Sequence, residues 1–208
     1  MEQNDTMKKY LTENGKISIT VAETTNLVEE ARKIHDLTPT TTAALGRLLT
    51  ATSLMGIDLK NVKDSISVQI KGDGEIGTMI AVSDKFPRVR AYIQNPHVEL
   101  PLNEKGKLDV GRAVGKNGYL NIIKDIGMKE PYIGIVPLTT GEIAEDFARY
   151  FAESEQKPTV IALGVLVDKN GVSKAGGYLL SLLPDATEED ITKLEENIKA
   201  EKHEKLTF

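Results

Sequence analysis

Cysteine is absent from the 208-residue chain, which excludes disulfides, a thiolate zinc site and a cysteine nucleophile. Tryptophan is absent as well. Aromatic residues make up only 5% of the chain beside a 40% hydrophobic share, so the core has to be aliphatic. The three histidines, His35, His97 and His203, lie far apart and match no ligand spacing, which argues against a metal site. No basic run is longer than Lys8-Lys9 and the net charge is −5, so no nucleic-acid partner is expected. The first sixteen residues, MEQNDTMKKYLTENGK, contain no apolar stretch of the secretory kind, and the expected compartment is the cytoplasm.

The chain is long enough for a substantial core. Residues 16–22 alternate Ile17, Ile19 and Val21 with polar positions and predict a half-buried strand on that apolar side. A helix follows, capped by Thr24 or Thr25 and running to Asp36, with Leu27, Val28, Ala31 and Ile34 on its inner face. A second helix follows directly. Strands are predicted over 65–71, 77–84, 89–95, 118–125 and 131–138, with a short helical piece at 110–114 between the third and fourth. Thr140 and Gly141 open an amphipathic helix that buries Ile143, Phe147, Tyr150 and Phe151. Strands over 159–168 and 172–184 form a hairpin across Lys169-Asn170-Gly171. From Glu188 to Lys205, 11 of 18 residues are charged, behind a capping-box start at Thr187 and Asp190. The thin seam of Ile191, Leu194 and Ile198 suits a peripheral or linker helix. Hairpins without βαβ alternation give the α+β class.

The second helix, TPTTTAALGRLLTATSLMG, starts at Thr38 with Pro39 in its first turn and ends at Gly56. Between Asp36 and Asp58 its only charge is Arg47. Leu45, Leu48, Leu49 and Thr52 form one face, and Ala43, Thr50, Ala51 and Leu54 lie with Arg47 on the other, so the helix is apolar all round. A membrane span is disfavoured by the threonines, by Pro39 and Gly46, and by an arginine whose mid-membrane insertion costs roughly 2.5–3.5 kcal/mol. A helix buried between two sheets over about 39–55 remains, giving a β/α/β layering. Arg47 then needs acceptors, in an ion pair or on carbonyls, because an unpaired buried charge costs several kcal/mol.

Gly72-Asp73-Gly74-Glu75-Ile76-Gly77 spells G-x-G-x-x-G, but the alternating β-branched residues after it predict a hairpin turn, not a nucleotide-binding helix. No G-x-S-x-G elbow occurs, and Ser154 sits at a helix end. Lys124, Asp125 and Asp146 read as isolated turn or surface charges. On the residues alone, no active site is evident.

Taken together, AALGRLLTA (43–51), Gln69-Ile70, Gly72 and Gly74, Arg90 with Tyr92, Asn95-Pro96, Val114-Gly115, Tyr132, Asp146, Ser154-Glu155-Gln156 and Gly176-Gly177 resemble one family, in order along residues 16–184. The family is that of the redox-regulated thirty-three-kilodalton heat-shock proteins of bacteria. The resemblance implies an ATP-independent holdase chaperone, not an enzyme, that binds unfolding client proteins under oxidative heat stress. It also implies a central helix between two sheets and a homodimer, whose exchange of elements the sequence leaves open. It marks Arg47, Gly72, Gly74, Arg90, Tyr92, Tyr132, Asp146, Ser154, Glu155, Gln156, Gly176 and Gly177 as signature positions of structural character. It assigns no client-contacting residue.

Family members carry a C-terminal zinc domain whose C-x-C and C-x-x-C cysteines form the redox switch, and this chain has none of them. The expected organisation is therefore a chaperone core over 1–185 and the start of a linker over 186–208, with zinc belonging to the full-length family. Ser181 stands where the family pattern expects glutamine. Two rival readings are a small-molecule enzyme using Arg47, Arg90 and Asp146 around a cleft, and a dimerisation scaffold.

Overall fold

The computed structural model describes residues 4–85 and 88–203. Its elements run β1 (Thr6–Leu11), β2 (Ile17–Glu23), α1 (Thr25–His35), α2 (Pro39–Gly56), β3 (Ser65–Lys71), β4 (Thr78–Lys85), β5 (Arg88–Ile93) and α3 (Val110–Val114). They continue with β6 (Tyr119–Asp125), β7 (Tyr132–Pro137), α4 (Ala144–Glu153), β8 (Thr159–Asp168), β9 (Gly171–Leu182) and α5 (Glu188–His203). Two fully antiparallel sheets result, one of four strands in the order β1-β2-β9-β8 and one of five in the order β5-β4-β3-β6-β7. The helix α2 packs against strands of both, so the fold is α+β with a β/α/β layering.

Every residue of α2 is buried except Pro39 and Arg47. Its threonines and serine fit that setting because Thr50, Thr52 and Ser53 each donate a hydroxyl to the carbonyl four residues back, at 2.8 Å. Gly46 is a point of close approach: a Cβ there would lie 2.6 Å from Val28 Cγ1 on α1 and 2.9 Å from Val165 Cγ2 on β8. Neither predicted threonine cap bonds as expected. The Thr24 hydroxyl pairs with Thr50 at 2.7 Å, and the Thr38 hydroxyl reaches the Val98 carbonyl at 2.6 Å. The free N–H groups of α1 are taken instead by Asp5, whose two carboxylate oxygens accept from Asn26 and Leu27 at 2.8 Å.

Two expected faces are narrowed. On β2 Thr20 and Ala22 are buried on the side toward α2, whereas on the expected apolar side Ile17 is buried, Ile19 partly so and Val21 43% exposed. The inner side has to be small because α2 lies against it: across the ladder from Ala22, a Cβ on Gly177 would meet Thr50 Cγ2 at 3.3 Å. On α1 only Val28 and Ala31 are buried, and Ile34 is 70% exposed. At roughly 100° per residue, Ile34 sits about 120° around the helix from Val28, outside the strip that touches the core.

The edge strand β1 pairs with β2 from Thr6–Glu23 to Leu11–Ser18 and was not predicted. Its mostly exposed side chains, including Lys8 and Lys9, give no apolar alternation to read. The helix α5 does begin with the predicted box, Thr187 and Asp190 bonding each other's backbone N–H at 2.9 and 3.4 Å. Asp190 also accepts from Lys16 at 2.9 Å and Asn14 at 3.0 Å, fastening α5 to the β1–β2 turn. Ile191 and Leu194 are partly buried, while the side chain of Ile198 lies outside the described residues.

Candidate functional site

The ladders sort the strand residues into inward and outward rows. On the four-stranded sheet the outward rows are Tyr10, Ile19, Leu180 and Val160, then Lys8, Val21, Tyr178 and Ala162. Ile17 and Leu182 extend the first of these along β2 and β9. This face is apolar although it points away from α2. Tyr10, Val21 and Val160 are exposed on it. Ile17 and Leu180 on the same face are covered, at 8% exposure each, and the exposed apolar remainder marks an interaction surface.

The five-stranded sheet has a second such face. One outward row runs Tyr92, Ile80, Gln69, Asn121 and Ile135, and the next runs Arg90, Val82, Ser67, Ile123 and Ile133. Tyr92, Ile133 and Ile135 are 51%, 56% and 61% exposed. Arg90 belongs to this face and pairs with Asp84 through one guanidinium nitrogen, at 3.0 and 2.9 Å.

Of the glycine signatures, Gly72 and Gly74 lie in a turn that borders a cleft. The Gly72–Gly77 segment is the β3–β4 hairpin turn, with no helix after it. A Cβ on Gly72 would strike the Val114 carbonyl and one on Gly74 the Ala113 carbonyl, because the turn lies directly on α3 and donates Gly74 N–H to Val114 at 3.0 Å. The cleft, of about 590 Å³, lies between this turn, α3, residues 115–117 and residues 140–142. Its carboxylates are engaged: Asp73 by Asn117, Asp109 by the Arg112 N–H, and Glu142 by Arg47 and the Gly111 N–H. The two bonds from Asn117 hold the Asp73 carboxyl below the usual carboxylate range. Among the described residues no three His, Cys, Asp or Glu side chains group so as to hold a metal.

Arg47 donates to the Glu142 carboxylate at 2.5 Å and to its carbonyl at 3.3 Å, and its Nε is buried without a partner among the described residues. Asp146 is fully buried, contrary to its reading as a turn or surface charge. Its carboxylate accepts from the N–H groups of Thr139, Thr140, Gly141 and Ile143 at 2.6, 3.1, 3.5 and 3.0 Å, which gathers the turn ahead of α4. At the other end of α4, Tyr132 bonds Ser154 through the hydroxyl and the carbonyl at 2.7 and 2.9 Å, and Lys124 pairs with Glu155. Gln156 has φ 53. Gly176 and Gly177 lie where a Cβ would meet the Ala22 and Ala162 carbonyls. Arg47, Arg90 and Asp146 do not meet: Arg90 lies on the outer face of the five-stranded sheet, and the other two lie inside it.

Comparison with known proteins agrees with this architecture. The sequence matches the family described as Hsp33 protein over residues 5–206. It is 55% identical over 185 residues to the 33 kDa chaperonin of Clostridioides difficile (strain 630), covering 89% of this chain and 64% of that protein. It is 58% identical over 172 residues to the 33 kDa chaperonin of Caldanaerobacter subterraneus subsp. tengcongensis, covering 82% and 58%. The crystal structure of the 33 kDa chaperonin of Thermotoga maritima superposes with a TM-score of 0.87 at 41% identity, covering 92% of this chain and 66% of that one. The chain thus spans a little under two thirds of the length of the relatives it matches. With two antiparallel sheets around a buried helix, and with this match over nearly its whole length, the chain belongs to the Hsp33 family.

Proposed function

We propose that this chain is the client-holding core of an ATP-independent holdase that binds unfolding proteins under oxidative and heat stress. The observation that carries the proposal is the outward face of the four-stranded sheet, where Tyr10, Val21 and Val160 are exposed in the same rows as Ile19 and the buried Leu180. An exposed apolar face suits unfolded segments of many sequences, because hydrophobic association is non-directional. Residues 1–185 form the holding core in this reading, and the charged segment 186–208 begins the linker toward the zinc domain of the full-length family, where the redox switch lies. The compartment is the cytoplasm and the working form a homodimer.

Because the switch lies outside this polypeptide, the core holds clients irrespective of redox state. The test is light scattering of a chemically unfolded client diluted with and without the 208-residue chain, under reductant and under oxidant. Equal suppression in both is expected. Suppression only under oxidant, or none in either, contradicts the proposal. Sedimentation at micromolar concentration separates a holding dimer from a plain dimerisation scaffold, which would sediment as a dimer and suppress nothing.

A further inference from the structure

The helix α4 closes the sandwich on the side where both sheets end. It packs on β8, the edge of the four-stranded sheet, and on β7, the edge of the five-stranded one, with Phe147, Tyr150 and Phe151 buried beneath it. Of the three non-glycine residues with positive φ among those described, two bracket this helix: Ile143 at φ 76 and Gln156 at φ 53. Ile143 is the centre of a γ-turn in which the Ala144 N–H reaches the Glu142 carbonyl at 3.0 Å. A β-branched residue takes that conformation only when its surroundings impose it.

A third unrelaxed feature lies inside the helix. The Tyr150 hydroxyl is buried beside Glu155 and Tyr132 without a well-formed hydrogen bond among the described residues. Opposing these features are a few polar fastenings, all at the two ends. Asp146 gathers four N–H groups and Arg47 holds Glu142 at the start, and Tyr132 to Ser154 and Lys124 to Glu155 hold the finish. When α4 lifts away, the γ-turn and Gln156 return to ordinary backbone conformations and the Tyr150 hydroxyl gains water. These returns offset part of the lost apolar burial, and they are concentrated in one ten-residue helix and the residues that bracket it.

We infer that α4 is a releasable wall, which opens as a unit before the sheets unfold and presents Phe147, Tyr150 and Phe151 as a cryptic apolar surface for unfolded client segments. The client role rests on the holdase reading above, whereas the release does not. Local opening of this kind draws on the least stable unit of a fold.

Hydrogen exchange followed by mass spectrometry on the 208-residue chain, below its melting temperature, tests the release. The amides of 144–153 exchange as a block, at least about tenfold faster than those of α2 and β9. Gln156→Gly, at an exposed position, removes one positive-φ cost and slows that block about two- to fivefold. Asp146→Asn speeds it about tenfold or more. Exchange of 144–153 at the α2 rate overturns the inference, as does either variant shifting α4 and α2 together, the signature of a merely structural role. For the client role, Asp146→Asn enlarges the gain in client-scattering suppression that warming adds to the suppression already given by the outer sheet face, and Gln156→Gly reduces that gain. An unchanged gain in both variants, with the exchange pattern as expected, overturns the client role and leaves the release standing.

Discussion

Single charges do two different things in this molecule. Arg47 is the one ionised residue of the buried helix, and its 20% exposed side chain ends on Glu142, which in turn holds the Gly111 N–H. Arg47→Met keeps the apolar stem and leaves Glu142 without its cation, so the chain should still fold but lose about 1–3 kcal/mol in denaturant unfolding. That Arg47 needs acceptors follows from its position in an otherwise uncharged helix. The identity of Glu142, 95 residues further on, has no local signature. The burial of Asp146 is hidden from a local reading for the opposite reason, since one carboxylate among polar neighbours reads as solvated until the backbone N–H groups around it are located, although the family resemblance marks the position as structural. Glu29 is a third case. Hydrogen bonds from Arg32 first, opposed by partial burial and helped by the Val172 N–H, hold its carboxyl down at about 2 against an ordinary 4.5. Its folded-state value is depressed, so its contribution is complete above pH 4.5 and fades as pH falls toward 2. After solvent screening that contribution is about 1–2 kcal/mol, and Glu29→Gln should flatten the pH dependence of the unfolding midpoint in that window.

At the scale of elements, legibility followed how completely the surroundings enforce a pattern. The helix α2 was readable because burial on every side leaves a segment nearly free of charge. Its packing depends on Gly46, which admits both Val28 of α1 and Val165 of β8. Gly46→Ala gains about 1 kcal/mol of helix propensity but forces both valines aside at about 1–3 kcal/mol, so thermal unfolding should show a net loss of stability. Overpacking outweighs propensity here, and a raised melting temperature would contradict the close approach. The strand β2 shows the limit of periodicity. Alternation separates its residues into two sets, and both are partly buried: Thr20 and Ala22 face α2, which restricts that side to small residues, while Ile17 is covered on the other side and Val21 is exposed. The outcome is itself informative, since Ile19 and Val21 are apolar without being needed for the core. The edge strand β1 has almost nothing buried, and its order comes from the ladder and from Asp5 on α1, which only the tertiary structure reveals.

For the whole molecule, two sheets enclose one helix and turn further apolar faces outward, so the chain carries more apolar surface than its core consumes. No described helix is long and apolar enough to cross a membrane. The charged helix α5 is tied to the β1–β2 turn through Asp190, whose carboxyl is held below its usual range by Thr187 first and then Lys16. The outward face of the four-stranded sheet is the centre of the functional account, and its test needs a variant that changes that face and nothing beneath it. Val21 and Val160 are exposed there and belong to no inward row. Val21→Asp combined with Val160→Asp should leave the melting temperature within a few degrees of the parent, as surface substitutions usually do. The decisive measurement is light scattering of a chemically unfolded client titrated with the parent chain and with this double variant. The account predicts that the variant needs several times more protein for the same suppression, and equal suppression by the two at equal folded concentration would contradict it.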